Sequence, residues 1–300
     1  MSRVWRFLQV DVFTDRPLAG NQLAVVLDAR GLADAEMQAI AREMNLAETT
    51  FVLPATQVEC VAHVRIFTPA RELPFAGHPT LGTAWALARE GLLPAGTRDF
   101  SLEEGIGAVP VALEGDPRDP SFVWMRHRDA AFGPALSDRA TVAAALGLTE
   151  ADLLPGAPIQ AGSTGNAFLY VPLRDRHAVD RAVGDASALA ACLGEALGVF
   201  VLAPDPDPAV GRVYSRMFAP HQGVPEDPAT GSASGALGAY LVQQGLVKAA
   251  GETRIVSEQG TKMKRQSFVH IRLRVSDGGV GDIRVGGSVV PVLEGLLRLP

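Results

Sequence analysis

The chain contains one short pattern twice: residues 65–74 read RIFTPARELP, and residues 216–225 read RMFAPHQGVP. Both have the form Arg, apolar, Phe, any residue, Pro, with a second Pro five positions later. Two weaker matches keep nearly the same spacing, FVL at 51–53 and 200–202 and Gly-Asn at 20–21 and 165–166. Matches in the same order at about half the chain length predict two homologous halves. We expect one domain at 1–129, completed by the C-terminal residues 279–300, and a second at 130–278.

Each copy of the pattern is followed by a helix that has no polar face. Residues 80–88 read TLGTAWALA, and residues 232–242 read SASGALGAYLV. A helix that is apolar or small on every side is buried on every side. Alternating apolar residues elsewhere in both halves are typical of half-buried strands. The sequence therefore predicts an α+β fold with two pseudo-symmetric domains, each a curved, mostly antiparallel sheet or barrel around a central α-helix.

Composition and charge exclude several classes of protein. The 300 residues include 27 Lys and Arg against 33 Asp and Glu, a net charge of −6, so we expect no nucleic-acid partner. The sequence has no run of 18 apolar residues, so we expect no membrane span. The first residues lack a signal-peptide pattern. The two cysteines, Cys60 and Cys192, provide no disulfide framework. The expected location is the cytoplasm.

The starts of the two central helices resemble anion sites. Residues 75–80 read FAGHPT and residues 225–232 read PEDPATGS. First-turn N–H groups point outward at the positive end of a helix dipole and can bind a carboxylate. Ordinary capping by Thr80, Thr230 or Ser232 is the alternative, but the arrangement occurs twice at equivalent points. We therefore expect a small carboxylate substrate to bind at Gly77, Thr80, Gly231, Ser232 and Ala233.

One acidic residue breaks the symmetry of the two halves. Glu48 lies in NLAETTFV at 45–52, at the entrance to a strand, where the second half has Leu197. An acid in one half only suits one-sided proton transfer. His78 and Asp227 stand at the helix starts and are the other candidate catalytic residues, although a core histidine and a capping aspartate would look the same.

The familiar motifs of metal and cofactor sites do not occur. The six histidines show no metal-ligand spacing, and the glycines of the second helix form neither G-x-G-x-x-G nor a P-loop. The sequence also lacks a G-x-S-x-G elbow. We expect chemistry without a metal or cofactor.

With these motifs the chain resembles the PhzF-like family, named for an isomerase of phenazine biosynthesis. The resemblance covers essentially the whole chain and is carried by DVFTDRPLAGN at 11–21, NLAETTFV at 45–52, FAGHPT at 75–80, EDPATGSA at 226–233 and QGTKMKRQS at 259–267. It implies the diaminopimelate-epimerase-like fold with the site in a cleft, a homodimer and no cofactor. It also implies that Glu48 is the general acid/base and that His78, Asp227 and Ser232 line the pocket.

The resemblance implies an isomerase that moves a proton on a small cyclic carboxylate, as in the isomerisation of trans-2,3-dihydro-3-hydroxyanthranilate. A racemase or epimerase of a small amino or hydroxy acid is one alternative, and a non-catalytic small-acid binding protein is another. Racemases of this fold use a thiol at each helix start, whereas Cys60 and Cys192 lie far from both motifs. Ala47, Gln22 and Ser234 depart from the family pattern beside the expected pocket and leave the substrate open.

Overall fold

The computed structural model describes residues 3–249, 251–277 and 279–300. The chain divides into two compact units: the first runs up to Arg126 and takes up Gly286–Pro300, and the second is His127–Val285. The longest helices in the described ranges have 13 residues, and none of the described helices is long and apolar enough to cross a bilayer.

The first unit is built mainly of strands around one long helix. In chain order it contains β1 (Arg3–Val12), β2 (Asn21–Val26), α1 (Asp34–Met44), β3 (Glu48–Leu53), β4 (Cys60–Phe67), β5 (Glu72–Leu73), α2 (Gly77–Arg89), β6 (Asp99–Glu104), β7 (Gly107–Asp116) and β8 (Asp119–Arg126).

The second unit has the same character, with extra short helices. It contains β9 (Ala131–Ala135), α3 (Arg139–Ala145), β10 (Gln160–Ser163), β11 (Ala167–Pro172), α4 (Arg176–Arg181), α5 (Ala186–Leu193), β12 (Val199–Pro204), β13 (Arg212–Ala219), β14 (Val224–Asp227), α6 (Gly231–Gln243), β15 (Glu252–Gln259), β16 (Ser267–Ser276) and β17 (Gly279–Gly287). The chain then returns to the first unit, where β18 (Val289–Leu299) pairs antiparallel with β1.

Strand pairing repeats from one unit to the other. In the first unit β1–β2 is antiparallel, β2–β3 parallel, β3–β4 antiparallel, β4–β6 parallel and β6–β7 antiparallel. In the second unit β10–β11, β11–β12, β12–β13, β13–β15 and β15–β16 show the same sequence of directions. The predicted α+β class with two pseudo-symmetric halves is confirmed.

The helix without a polar face is the centre of each unit. All of α2 from Gly77 to Ala88 is buried, and so is α6 apart from Ser232 and its last two residues. Close packing explains the small residues: a Cβ on Gly82 would come within 2.6 Å of a Leu23 methyl carbon, and one on Gly238 within 2.7 Å of an Ile271 methyl carbon. Strands can approach these helices because side chains are missing there.

Candidate active site

Glu48 is the first residue of β3, the strand that follows α1 in the chain. Asn45 ends α1 in the left-handed conformation, with φ of 50°, and only two residues then separate it from Glu48. The Glu48 side chain is only 16% exposed, and its Oε2 lies 3.2 Å from His78 Nε2. The structure therefore brings together two predicted site residues that are 30 positions apart in the sequence.

His78 is the second residue of α2 and is 5% exposed. Its Nδ1 lies 3.1 Å from the amide nitrogen of Asn21, and its Nε2 lies 3.2 Å from the carbonyl oxygen of Gln22. An amide nitrogen only donates and a carbonyl only accepts, so Nδ1 is the acceptor and Nε2 carries the hydrogen. Burial lowers the pKa of His78 to about 3. The ring is neutral, so its 3.2 Å contact with the Glu48 carboxylate is not an ion pair.

The start of α2 leaves main-chain donors available. Ala76 is the N-cap residue and provides no side-chain cap. Thr80 does not cap the helix, because it is the fourth helical residue and its hydroxyl and N–H both face the Ala76 carbonyl, at 2.8 and 3.4 Å. Pro79 has no N–H, so the N–H groups of Gly77 and His78 are the ones for which the helix supplies no acceptor.

The second unit surrounds its helix start with a side-chain network. Asp227 ends β14, and its Oδ2 accepts a 2.6 Å hydrogen bond from the Thr230 hydroxyl. Gln259 is fully buried; its amide nitrogen donates to the Asp227 carbonyl at 2.7 Å, and its amide oxygen accepts from the Thr230 N–H at 3.1 Å. Asp227 is therefore held in place on both its main chain and its side chain.

The N–H groups of α6 are used unequally. Thr230 is the N-cap residue, but its hydroxyl donates to Asp227 and makes no cap bond, and Ser232 does not precede the helix but lies within it. The Ala233 N–H already bonds to the Thr230 carbonyl at 3.2 Å, and the Ala233 carbonyl accepts from the Tyr170 hydroxyl at 2.6 Å. Gly231 and the partly exposed Ser232 are the first two residues of the helix.

Sequence reasoning missed the role of Asn21 and Gln259 in holding these groups in place, and it gave Thr230 as a helix cap where the structure has its hydroxyl donating to Asp227. Asn21 and Gln259 lie inside motifs that carry the family resemblance, which was the available signal. Neither motif shows which side chain its polar residue bonds, because each bond joins segments that are distant in the chain.

The cysteines lie away from the helix starts. Cys60 is the buried first residue of β4, and Cys192 is partly buried on α5. Burial raises the pKa of both thiols, which makes them poor nucleophiles. In the described part of the chain, no three His, Cys, Asp or Glu side chains come together as a metal-binding group.

A surface cavity of about 350 Å³ in the second unit contains none of the predicted site residues. Arg176 stacks at 3.9 Å on the Tyr214 ring there and pairs with Glu258. The lining of this cavity has three acidic and three basic residues: Asp175, Asp205 and Glu258, and Arg174, Arg176 and Arg212. This balance of charges does not favour a carboxylate ligand, whereas the N–H groups at the helix starts do.

Known proteins match this chain along nearly its full length. Residues 10–295 match the family model described as phenazine biosynthesis-like protein. A trans-2,3-dihydro-3-hydroxyanthranilate isomerase of Pseudomonas aeruginosa is 36% identical over 291 residues, which cover 97% of this chain and 98% of that protein. The crystal structure of a PhzF-family phenazine biosynthesis protein from Bacillus anthracis superposes with a TM-score of 0.87 at 28% identity, covering 98% and 99% of the two chains.

More distant structures agree in fold alone. A hydroxyproline epimerase from Agrobacterium vitis superposes with a TM-score of 0.66 at 13% identity, covering 99% of this chain and 93% of that one. The fold and the matches thus define an isomerase with the diaminopimelate-epimerase-like architecture. The chain belongs to the PhzC-PhzF family.

Proposed function

We propose that this isomerase relocates a proton on a small, cyclic carboxylate substrate, with Glu48 as both general base and general acid. The observation that carries the proposal is the contact between the mostly buried Glu48 carboxylate and the neutral His78 ring. The packing of this ring against the carboxylate limits the directions that Glu48 can adopt, so that its approach to a carbon–hydrogen bond is set before the substrate arrives.

The chemistry balances without an external reagent. Glu48 takes a proton from one carbon of the substrate, and the electron pair of the broken C–H bond moves into the adjacent conjugated system. The protonated Glu48 then gives the proton to a second carbon, where a new C–H bond forms, and the carboxylate is restored. The substrate and product have the same atoms and the same oxidation level, as an isomerisation requires.

The helix starts supply the binding groups in this proposal. In the first unit, the first-turn N–H groups of Gly77 and His78 would receive a substrate carboxylate, and in the second unit those of Gly231 and Ser232 are the equivalent donors. Asp227 is the second unit's candidate for positioning a polar group, because the Thr230 hydroxyl and Gln259 hold it in place. The name of the Pseudomonas aeruginosa relative makes trans-2,3-dihydro-3-hydroxyanthranilate the first substrate to test.

The positions of the thiols weigh against racemisation by two cysteines. Cys60 and Cys192 occupy β4 and α5, whereas the central helices begin at Gly77 and Gly231. A racemase mechanism would require another pair of bases in place of these two thiols.

The test is deuterium incorporation from heavy water into trans-2,3-dihydro-3-hydroxyanthranilate and a panel of small cyclic and amino carboxylates, followed by NMR. The Glu48→Gln variant keeps the shape and the His78 contact but not the base, so turnover should fall by about 10²-fold or more. The matched control is Glu43→Gln, the same change on the exposed last turn of α1, which should leave turnover unchanged. Normal turnover by Glu48→Gln would contradict the proposal, and binding without turnover by the unmodified protein would favour the binding-protein alternative.

A further inference from the structure

A second buried carboxyl group lies against the helix that carries His78. Glu104 is the last residue of β6 and is 3% exposed. Its Oε1 lies 2.6 Å from the hydroxyl oxygen of Thr80, in the first turns of α2. Its Oε2 is buried and has no hydrogen-bond partner among the described residues. A charged carboxylate with one bare oxygen in such a place would be strongly disfavoured.

The Thr80 hydroxyl has two oxygen neighbours but only one hydrogen. The Thr80 hydroxyl oxygen lies 2.8 Å from the Ala76 carbonyl as well as 2.6 Å from Glu104. A hydroxyl has one hydrogen, and a main-chain carbonyl can only accept. If Thr80 donates to Ala76, the hydrogen in the short contact with Glu104 must come from the carboxyl group itself.

The other unit shows where this hydroxyl hydrogen goes. Ser234 is the fourth residue of α6, as Thr80 is the fourth residue of α2. Its hydroxyl donates at 2.9 Å to the carbonyl of Thr230, the N-cap residue. The donation from the fourth residue to the N-cap carbonyl is therefore common to both central helices, and the carboxyl contact is added only in the first unit.

We infer that Glu104 is a positioning residue that acts as a neutral carboxylic acid. It donates a hydrogen bond to Thr80 and so completes the hydrogen bonding of the first turn of α2. This turn holds the His78 ring beside Glu48. The inference rests on the proposed function in assigning Glu48 the proton transfer. Loss of the Glu104 proton would turn the Thr80 hydroxyl toward the new carboxylate and leave the Ala76 carbonyl with only the 3.4 Å bond from the Thr80 N–H, which disturbs the turn that carries His78.

The surroundings of Glu104 agree with the neutral form. Burial raises the pKa of Glu104 to about 8, an effect that the contact with Thr80 only partly offsets. The charged or titratable groups on the elements around it are His78 and Arg89 on α2, Cys60, His63 and Arg65 on β4, Glu72 on β5, Asp99 and Glu103 on β6, and Glu114 and Asp116 on β7. Arg65 is paired with Glu72, Arg89 with Asp119, and Glu103 accepts from Thr56.

The first test compares wild type, Glu104→Gln and Glu103→Gln. Infrared difference spectra near pH 7 should show a protonated buried carboxyl group that disappears in Glu104→Gln and persists in Glu103→Gln. The wild-type kcat should fall with a midpoint near pH 8, the value to which the pKa of Glu104 is raised. Glu104→Gln can donate from its amide but cannot ionise, so it should keep kcat near neutral pH and lose this alkaline decline. The Glu103→Gln variant should retain the decline.

A readout without substrate separates this proposal from the proposed function. The ¹⁵N resonances of the His78 ring should shift between about pH 7 and pH 9 in wild type and stay unchanged in Glu104→Gln. A fully active Glu48→Gln variant would remove the proposed function and leave this experiment valid. Absence of the protonated carboxyl group in wild type, or His78 resonances that do not move, would overturn the assignment of Glu104.

Variants of Thr80 test the hydrogen bond between Glu104 and Thr80 if Glu104→Gln does not fold. Thr80→Val removes the hydroxyl, and kcat should fall about tenfold because His78 loses its position. Thr80→Ser restores the hydroxyl and should restore kcat. Equal kcat values for Thr80→Val and wild type would also overturn the proposal.

Discussion

The Nε2 of His78 lies 3.2 Å from an oxygen of the Glu48 carboxylate and 3.2 Å from the main-chain carbonyl oxygen of Gln22, to which its N–H donates. The ring can donate there because Asn21 donates to its other nitrogen and so fixes the tautomer. A neutral histidine packs against the Glu48 carboxylate without adding a positive charge. Asn21 sets the tautomer of that histidine.

Asn21→Asp should disturb the ring without touching Glu48. An aspartate accepts a hydrogen from Nδ1 instead of donating one, so it favours a doubly protonated ring. We expect the pKa of His78 to rise and kcat to fall by about tenfold or more. NMR titration of the His78 ring and steady-state kinetics measure the two effects, and an unchanged tautomer would contradict the hydrogen-bond assignment.

Asp227→Asn should lower turnover less than Glu48→Gln does. The amide keeps an oxygen for the Thr230 hydroxyl, so the local structure persists while the charge is lost, and we expect a fall of about tenfold. Gln259→Leu is the companion change. It leaves the Thr230 N–H and the Asp227 carbonyl without their bonds to Gln259, at a cost of about 1–3 kcal/mol each in the free energy of unfolding. Kinetics and thermal denaturation distinguish the two outcomes, and equal losses of turnover in Asp227→Asn and Glu48→Gln would refute the positioning role.

Stability should decline in acid because two histidines are buried as neutral rings. Burial lowers the pKa of His78 to about 3 and that of His127 to about 4, below the ordinary 6.5. Below pH 6.5 these histidines bind protons in the unfolded chain but not in the folded chain. Their contribution to the free energy of unfolding is therefore lost as the pH falls toward these pKa values. The difference in Tm between wild type and His78→Gln or His127→Gln should therefore narrow between about pH 7 and pH 5. A difference that stays constant across this range would contradict the neutral, buried state of these rings.

Both cysteines should be dispensable for turnover. Replacing Cys60 and Cys192 together with Ala should keep kcat within about tenfold and cost roughly 1–3 kcal/mol of stability where the buried thiol is lost. Kinetics on the folded double variant provide the measurement. Loss of turnover in that variant, with its circular dichroism unchanged, would revive a thiol-based racemase mechanism.

Anions should bind at the helix starts. In crystals grown with sulfate or phosphate, we expect an ion on the N–H groups of Gly77 and His78 or of Gly231 and Ser232, and not on Thr80 or Ala233, whose N–H groups already have acceptors. Ions found only on surface arginines would count against the carboxylate-binding part of the proposed function.

The repeat and the two central helices could be predicted from the sequence because both are local properties. The recurrence of RIFTP and RMFAP reveals the duplication without coordinates, and a stretch such as SASGALGAYLV has no face that water would solvate. The family motifs likewise pointed to Glu48, His78 and Asp227 as candidates before any contact between them was known.

Only the tertiary structure decided which of these groups meet and in what protonation state. The contacts Glu48–His78, Thr80–Glu104 and Asp227–Gln259 join residues 24 to 32 positions apart, on different strands and helices. Glu104 and Gln259 resemble ordinary polar residues in the sequence, because a Glu or Gln is usually solvated and no neighbouring residue shows that these two are buried. Burial by the surrounding elements keeps His78 neutral, raises the pKa of Glu104 and makes a polar group without a partner costly.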